Sequence, residues 1–163
     1  MTVGRAKPHL LTPEGLVRLT EELHQLRTEG REQLADRLHK ALEDGQDDDF
    51  VDNAELEAAR NAQAFLEGRI QDLEEILGNY QLIQDDDSPH DVVKIGDLVT
   101  IIEEGSDEEE QYLLVGAAEA DTIRGRISNE SPLGRALLGA RKGSTVDVMA
   151  PNGKLRFRIK GIE

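Results

Sequence analysis

Cysteine is absent from the 163 residues, which excludes disulfides and thiolate metal centres. A chain without thiols fits a reducing compartment, and the expected location is the cytoplasm. Tryptophan is also absent, and with 3 Phe and 2 Tyr a platform for stacking single-stranded bases has little support. The opening MTVGRAKPHLLTPEG lacks the apolar core of a signal peptide, and no apolar run approaches the length of a membrane span. Positive charge is scarce: 19 Lys and Arg face 34 Asp and Glu, for a formal net charge of −15. Such a surplus repels free nucleic acid at long range, so independent DNA binding is expected to be weak or absent. The four histidines (His9, His24, His39, His90) are scattered without ligand spacing. Ser128–Ser131 has no His or Asp spaced for a triad, and the D-x-[DN]-x-[DN]-G pattern of a calcium loop fails.

What is present is distributed unevenly. Residues 1–90 hold 21 acids and 9 bases, and residues 91–163 hold 13 and 10. The densest acidic stretch is EDGQDDDFVDNAELE, residues 43–57, with eight carboxylates and no Lys or Arg. It lies between two segments of helical periodicity. Thr12 and Pro13 supply an N-cap and a first helical residue. Leu16, Leu19, Leu23 and Leu26 then follow at three, four and three, a seam of coiled-coil type. Gly30 lies on the same stripe and should weaken the helix locally. Beyond it the spacing relaxes to Leu34, Leu38 and Leu42, and Asp44-Gly45 marks the end. A second helix starts near Asp52, where Asp52 caps and Glu55 follows three residues on. Its seam is Ala59, Ala62, Leu66, Ile70 or Arg69, Leu73, Leu77 and Tyr80. A short connection makes the pair antiparallel, an arm roughly 48 Å long at 1.5 Å per residue. Such seams are most often plain packing, as in a dimerising coil. Like charges crowded at the turn give a dimerising coil nothing, whereas a divalent cation such as Mg²⁺ would compensate them.

Residues 84–90 read as a polar linker. From Asp91 the period changes to two. One or two strands over Val93–Ile102, with a kink at Gly96-Asp97, lead to an acidic turn at Glu103–Glu110. Strands follow at Tyr112–Val115 and at Ile123–Ile127, the latter with Arg124 and Arg126 on one face. Ser131-Pro132 starts a short helix that Gly139 stops. Thr145–Met149 and Lys154–Ile162 flank a tight turn, with Leu155, Phe157 and Ile159 facing one way and Arg156, Arg158 and Lys160 the other. The fold class is α+β. Residues 1–83 form the helical hairpin with its tip at 43–57, 84–90 the linker, and 91–163 a globular domain.

Several of these stretches resemble the bacterial transcript cleavage factors of the GreA/GreB family. LTPEGLVRLTEEL is similar to the family's opening, and DFVDNAELEAARNAQAFLEGRIQDLE to its D-L-x-E-N-A-E-Y segment and second helix. SDEEEQYLLVGAAEAD and ISNESPLGRALLGARKGSTVDV resemble its C-terminal domain. The resemblance implies an antiparallel coiled coil followed by a domain similar to FKBP-type prolyl isomerases. It implies bacterial RNA polymerase as partner, with the globular domain at the rim of the secondary channel and the coil inside it. The tip acids would help hold a second Mg²⁺ in the polymerase active site, where the 3′ end of backtracked RNA is cut. The factor would not itself be an enzyme.

Carried over residue by residue, the family's two acidic positions fall on Asp49 and Asp52, and Phe50 stands where the family has Leu. Asp52 replaces the family's Glu, one methylene shorter, and Gln46, Asp47 and Asp48 lengthen the turn. The resulting four-aspartate tip is reminiscent of Gre-homologous inhibitors, which enter the same channel and obstruct catalysis. Asp47 and Asp48 are further candidates for the metal. The spacing of Asp49 to Asp52 and the residues Asn53-Ala54-Glu55 match the cleavage factors, so cleavage stimulation is the expected activity, with inhibition, or a binding module whose coil is only a spacer, as the alternatives.

Overall fold

The computed structural model describes residues 6–44, 54–84 and 88–163. These fold into two compact units: one joins the segment ending at Leu16 with Asn79–Glu163, and the other is Val17–Gly78. The fold is α+β. Among the described residues no helix is long and apolar enough to cross a membrane.

Val17–Gly78 is the helical hairpin. Its elements are helix α1 (Pro13–Gln25, entering from the first unit), a π turn (Leu26–Gly30), α2 (Arg31–Asp44) and α3 (Ala54–Gly78). The π turn has a cause in the sequence. A strict heptad continued beyond Leu26 and Gly30 would select Gln33, Arg37 and Lys40, all of which are exposed. The inward residues lie one place later: Leu34 and Leu38 are half-buried and Ala41 is 1% exposed. The first helix therefore carries one surplus residue. The π turn absorbs it, with the Arg31 N–H donating to the Leu26 carbonyl five residues back. The Thr28 hydroxyl donates to the His24 carbonyl at 2.8 Å, taking up an acceptor at the irregularity. A Cβ on Gly30 would stand 3.1 Å from Cδ1 of Leu66, so the glycine makes room for Leu66. Leu42, expected in the seam, is 51% exposed and Ala41 takes its place, because the surplus residue shifts the phase. On α3 the seam resolves to Ile70, 2% exposed, with Leu73 and Ala59 fully buried. Ion pairs cross between the helices at Glu22–Arg69, Arg27–Glu74, Arg31–Glu67 and Arg37–Glu55. Three of these pairs are solvent-exposed and Glu22–Arg69 is half-buried, and pairs so open to water add little stability, so the set specifies register more than it stabilises.

The first unit carries two sheets. Strand β1 (His9–Leu11) pairs in parallel with β2 (Tyr80–Leu82), and neither was expected. Tyr80 thus leaves the helical seam and is 42% exposed. This pairing also places the chain's opening residues with the globular part, which differs from the expected division after residue 83. The larger sheet contains β3 (Leu98–Glu103), β4 (Glu109–Val115), β5 (Arg126–Ser128), β6 (Thr145–Ala150) and β7 (Gly153–Ile162) in the order β5-β4-β3-β7-β6. All its pairings are antiparallel except β4–β5. A short helix α4 (Pro132–Leu137) is capped by Ser131, whose hydroxyl accepts from the Gly134 N–H at 3.0 Å. The core gathers Val99, Ile101, Leu114, Leu137, Phe157 and Ile159, and the outward face of β7 carries Arg156, Arg158 and Lys160.

The expected strand at Ile123–Ile127 is a correction. Thr122–Arg124 is a 3₁₀ turn, Gly125 is left-handed at φ 70°, and β5 begins only at Arg126. Asp121 accepts from the Arg124 N–H at 3.3 Å and so competes with an extended backbone. Arg124 and Arg126 both reach Oδ2 of Asp121, at 3.6 and 3.2 Å, but the Arg124 side chain is 69% exposed and that of Arg126 17%.

Candidate functional site

The acidic stretch 43–57 joins the far ends of α2 and α3. Small residues line the seam on both sides of it, with Ala41 and Ala59 buried and Ala58 and Ala62 half-buried. Alanines there let the helices close up without large side chains between them. Among the ion pairs of the described residues, the cross-helix brace nearest the acidic stretch is Arg37 Nε to Glu55 Oε1 at 2.7 Å. The hydrogen bond from Arg37 holds the Glu55 carboxyl below its usual range, and Glu55 in turn raises Arg37. Glu43 lies 3.2 Å from Nε2 of His39 one turn back, and Glu57 is exposed in the first turn of α3. Acids in that first turn also suit the positive end of the helix dipole. Asp44 closes α2.

Residues 45–53 lie outside the described residues, and with them Asp47, Asp48, Asp49 and Asp52 and the expected cap at Asp52. What is visible is their support: two helices held in register, leading into the acidic stretch from both sides. Among the described residues no group of three or more His, Cys, Asp and Glu could hold a metal ion. Glu55, counted in the acidic cluster by the sequence, is committed to bracing the arm.

A second arrangement escaped the sequence reading. Glu119 is 3% exposed, its Oε2 accepts from the Thr12 N–H at 2.7 Å, and its Oε1 accepts from the Thr12 hydroxyl at 2.7 Å. Thr12 Oγ1 in turn accepts from the Gly15 N–H at 3.0 Å, the N-cap bond expected of it. A Cβ on Gly15 would fall 1.8 Å from Glu119 Oε1, so the glycine is required for the carboxylate to enter. Glu119 is 107 residues from Thr12, and no local pattern signals the pairing.

Comparison with known proteins agrees with this architecture in both halves. A family model described as transcription elongation factor, N-terminal (GreA_GreB_N) matches residues 9–82, and one described as transcription elongation factor, GreA/GreB, C-term matches residues 88–163. Transcription elongation factor GreA of Clostridium kluyveri is 40% identical over 156 residues, covering 96% of each chain. GreA of Clostridium botulinum is 39% identical over 157 residues, again covering 96% of each. The crystal structure of GreA factor homolog 1 protein of Thermus thermophilus is 31% identical, covering 96% of this chain and 99% of that one, with a TM-score of 0.43. Two family models matched in order, and relatives aligned from end to end, establish that the chain belongs to the GreA/GreB family of transcription elongation factors.

Proposed function

We propose that the chain binds bacterial RNA polymerase through its globular part and passes its helical arm into the secondary channel. Asp49 and Asp52, with Asp47 and Asp48 beside them, then help hold a second Mg²⁺ jointly with the polymerase active site. Backtracked RNA is cut near its 3′ end and the arrested complex resumes. The cleavage is the polymerase's own, and the factor stimulates it. The observation that carries this reading is the arm: a hairpin held in register by its seam and cross-helix pairs, leading into a stretch of eight carboxylates. The donor chemistry fits, since the stretch carries eight carboxylates and no His or Cys, and a hard cation such as Mg²⁺ prefers oxygen donors. When bound, that ion would help activate water or stabilise the leaving oxygen.

In this reading the arm's own residues deliver and aim. Arg37 holds Glu55 on the brace, and in this reading Asp47, Asp48, Asp49 and Asp52 are the acids offered to the ion. The test is purified protein added to backtracked elongation complexes with its matching polymerase. Short 3′ fragments, released faster as Mg²⁺ rises, with ordinary elongation intact, are the expected result. Slowed nucleotide addition without fragments would overturn it in favour of an obstructing factor.

A further inference from the structure

The connection from β2 to β3 returns to the sheet through Ser88, Pro89 and His90, and the imidazole of His90 lies between two acceptors. Its Nδ1 is 2.8 Å from the Ser88 carbonyl oxygen, and its Nε2 is 2.8 Å from Oδ2 of Asp97. A neutral imidazole has one proton and can serve only one of these oxygens, leaving the second nitrogen's lone pair facing a lone pair. An imidazolium donates to both. Asp97 is positioned to favour that form. It is 7% exposed, its Oδ2 also accepts from the Lys94 N–H at 2.7 Å, and the turn between them is closed by Gly96 at φ 105°. The His90 and Asp97 side chains are 18% and 10% exposed, so water competes weakly for either. Among the described residues the other charged groups at this place are Lys94, which opposes a cation, and Glu163, which lines the same cleft of about 280 Å³.

We propose that His90 is a proton-operated latch: its imidazolium pins residues 88–90 to the turn ahead of β3, and loss of the proton releases the Ser88 contact. The latch lies just inside the second family match, which begins at residue 88, so it would make the freedom of residues 88–90 depend on pH. The direction follows from the partners. The hydrogen bond His90 donates to Asp97, then the one it donates to the Ser88 carbonyl, raises His90 above its ordinary value, with burial and Lys94 opposing. A folded value above the unfolded one means that the stabilisation is complete below the ordinary value of about 6.5 and is lost as pH rises through the raised value. The latch is closed on the acidic side and opens on the alkaline side. This inference is independent of the polymerase reading.

The test is a nitrogen-15 NMR titration of the histidine rings in the full-length protein, from about pH 5 to about pH 9 to span the ordinary imidazole range, beside the Asp97→Asn and His90→Gln variants. In the wild type both His90 nitrogens are expected to show the protonated signature at pH values where a free imidazole is already neutral. The midpoint should fall toward the ordinary value in Asp97→Asn. Amide exchange over residues 88–91, corrected for its intrinsic pH dependence, should accelerate across the midpoint in the wild type. In His90→Gln it should be fast throughout, which keeps the idea testable if Asp97→Asn does not fold. A single-tautomer signature below the ordinary value, an unchanged midpoint in Asp97→Asn, or exchange indifferent to the midpoint would each overturn the latch.

Discussion

Deleting Glu32 should leave the arm as stable as before or slightly more stable, although it removes a residue from the middle of a helix. The chain keeps Leu26 and Gly30 where they are and moves Leu34, Leu38 and Ala41 back by one. Those three then occupy the places a strict heptad assigns to 33, 37 and 40, and the π turn has no surplus left to absorb. Closing it restores one regular helical hydrogen bond, worth about 0.5–1.5 kcal/mol net. Glu32 is exposed, and the Arg31–Glu67 pair survives on the N-terminal side of the cut. Deleting Glu21, equally exposed, should do the opposite. It rotates His24 and Arg27 into the places of Leu23, which is 8% exposed, and Leu26, which is half-buried. Losing a buried leucine costs about 1.5–3 kcal/mol, and the half-buried one adds to it. Thermal unfolding of both full-length deletions, followed by helical circular dichroism, reads the difference. If the Glu32 deletion melts as early as the Glu21 deletion, the surplus-residue account of the π turn is wrong.

Glu119→Gln keeps the size of the buried side chain but turns one Thr12 acceptor into a donor, and should cost about 1–3 kcal/mol for the donor left unsatisfied. Gly15→Ala should destabilise similarly, because its Cβ claims the carboxylate's position; normal melting in both variants would remove the pair from the folding account. Leu73→Asp buries an unpartnered charge at a fully enclosed seam position, and loss of helical circular dichroism at temperatures where the wild type is folded is the expected signal.

The parts of the fold that follow from period and punctuation were readable in the sequence. These include the two arm helices, the Thr12 and Ser131 caps, and β6 and β7 with Leu155, Phe157 and Ile159 turned inward. The π turn was readable in principle. Leu26, Gly30, Leu34 and Leu38 step by four three times, longer than any heptad allows, and that excess is the surplus residue. Read as simple relaxation, it put Leu42 in the seam in place of Ala41. The β1–β2 pair and Glu119 were not readable, because each depends on partners about seventy or more residues away. His90 looked like a linker residue for a different reason: its acceptors are close in sequence, but the carbonyl and the aspartate meet only on the folded turn. At the tip, the sequence supplied the acids and the fold supplied the frame. Glu55 shows the limit of counting charges, since one of the eight carboxylates belongs to the brace.

The account's central claim is that Asp49 and Asp52 act on the polymerase's chemistry and not on this protein's own folding. The most direct measurement is 3′-fragment release from backtracked complexes with the Asp49→Asn/Asp52→Asn variant, alongside its melting curve and its retention on polymerase. The account predicts loss of cleavage stimulation, a melting shift no larger than the roughly 1 kcal/mol of one helix cap, and unchanged retention. Full stimulation by the doubly substituted protein would contradict it.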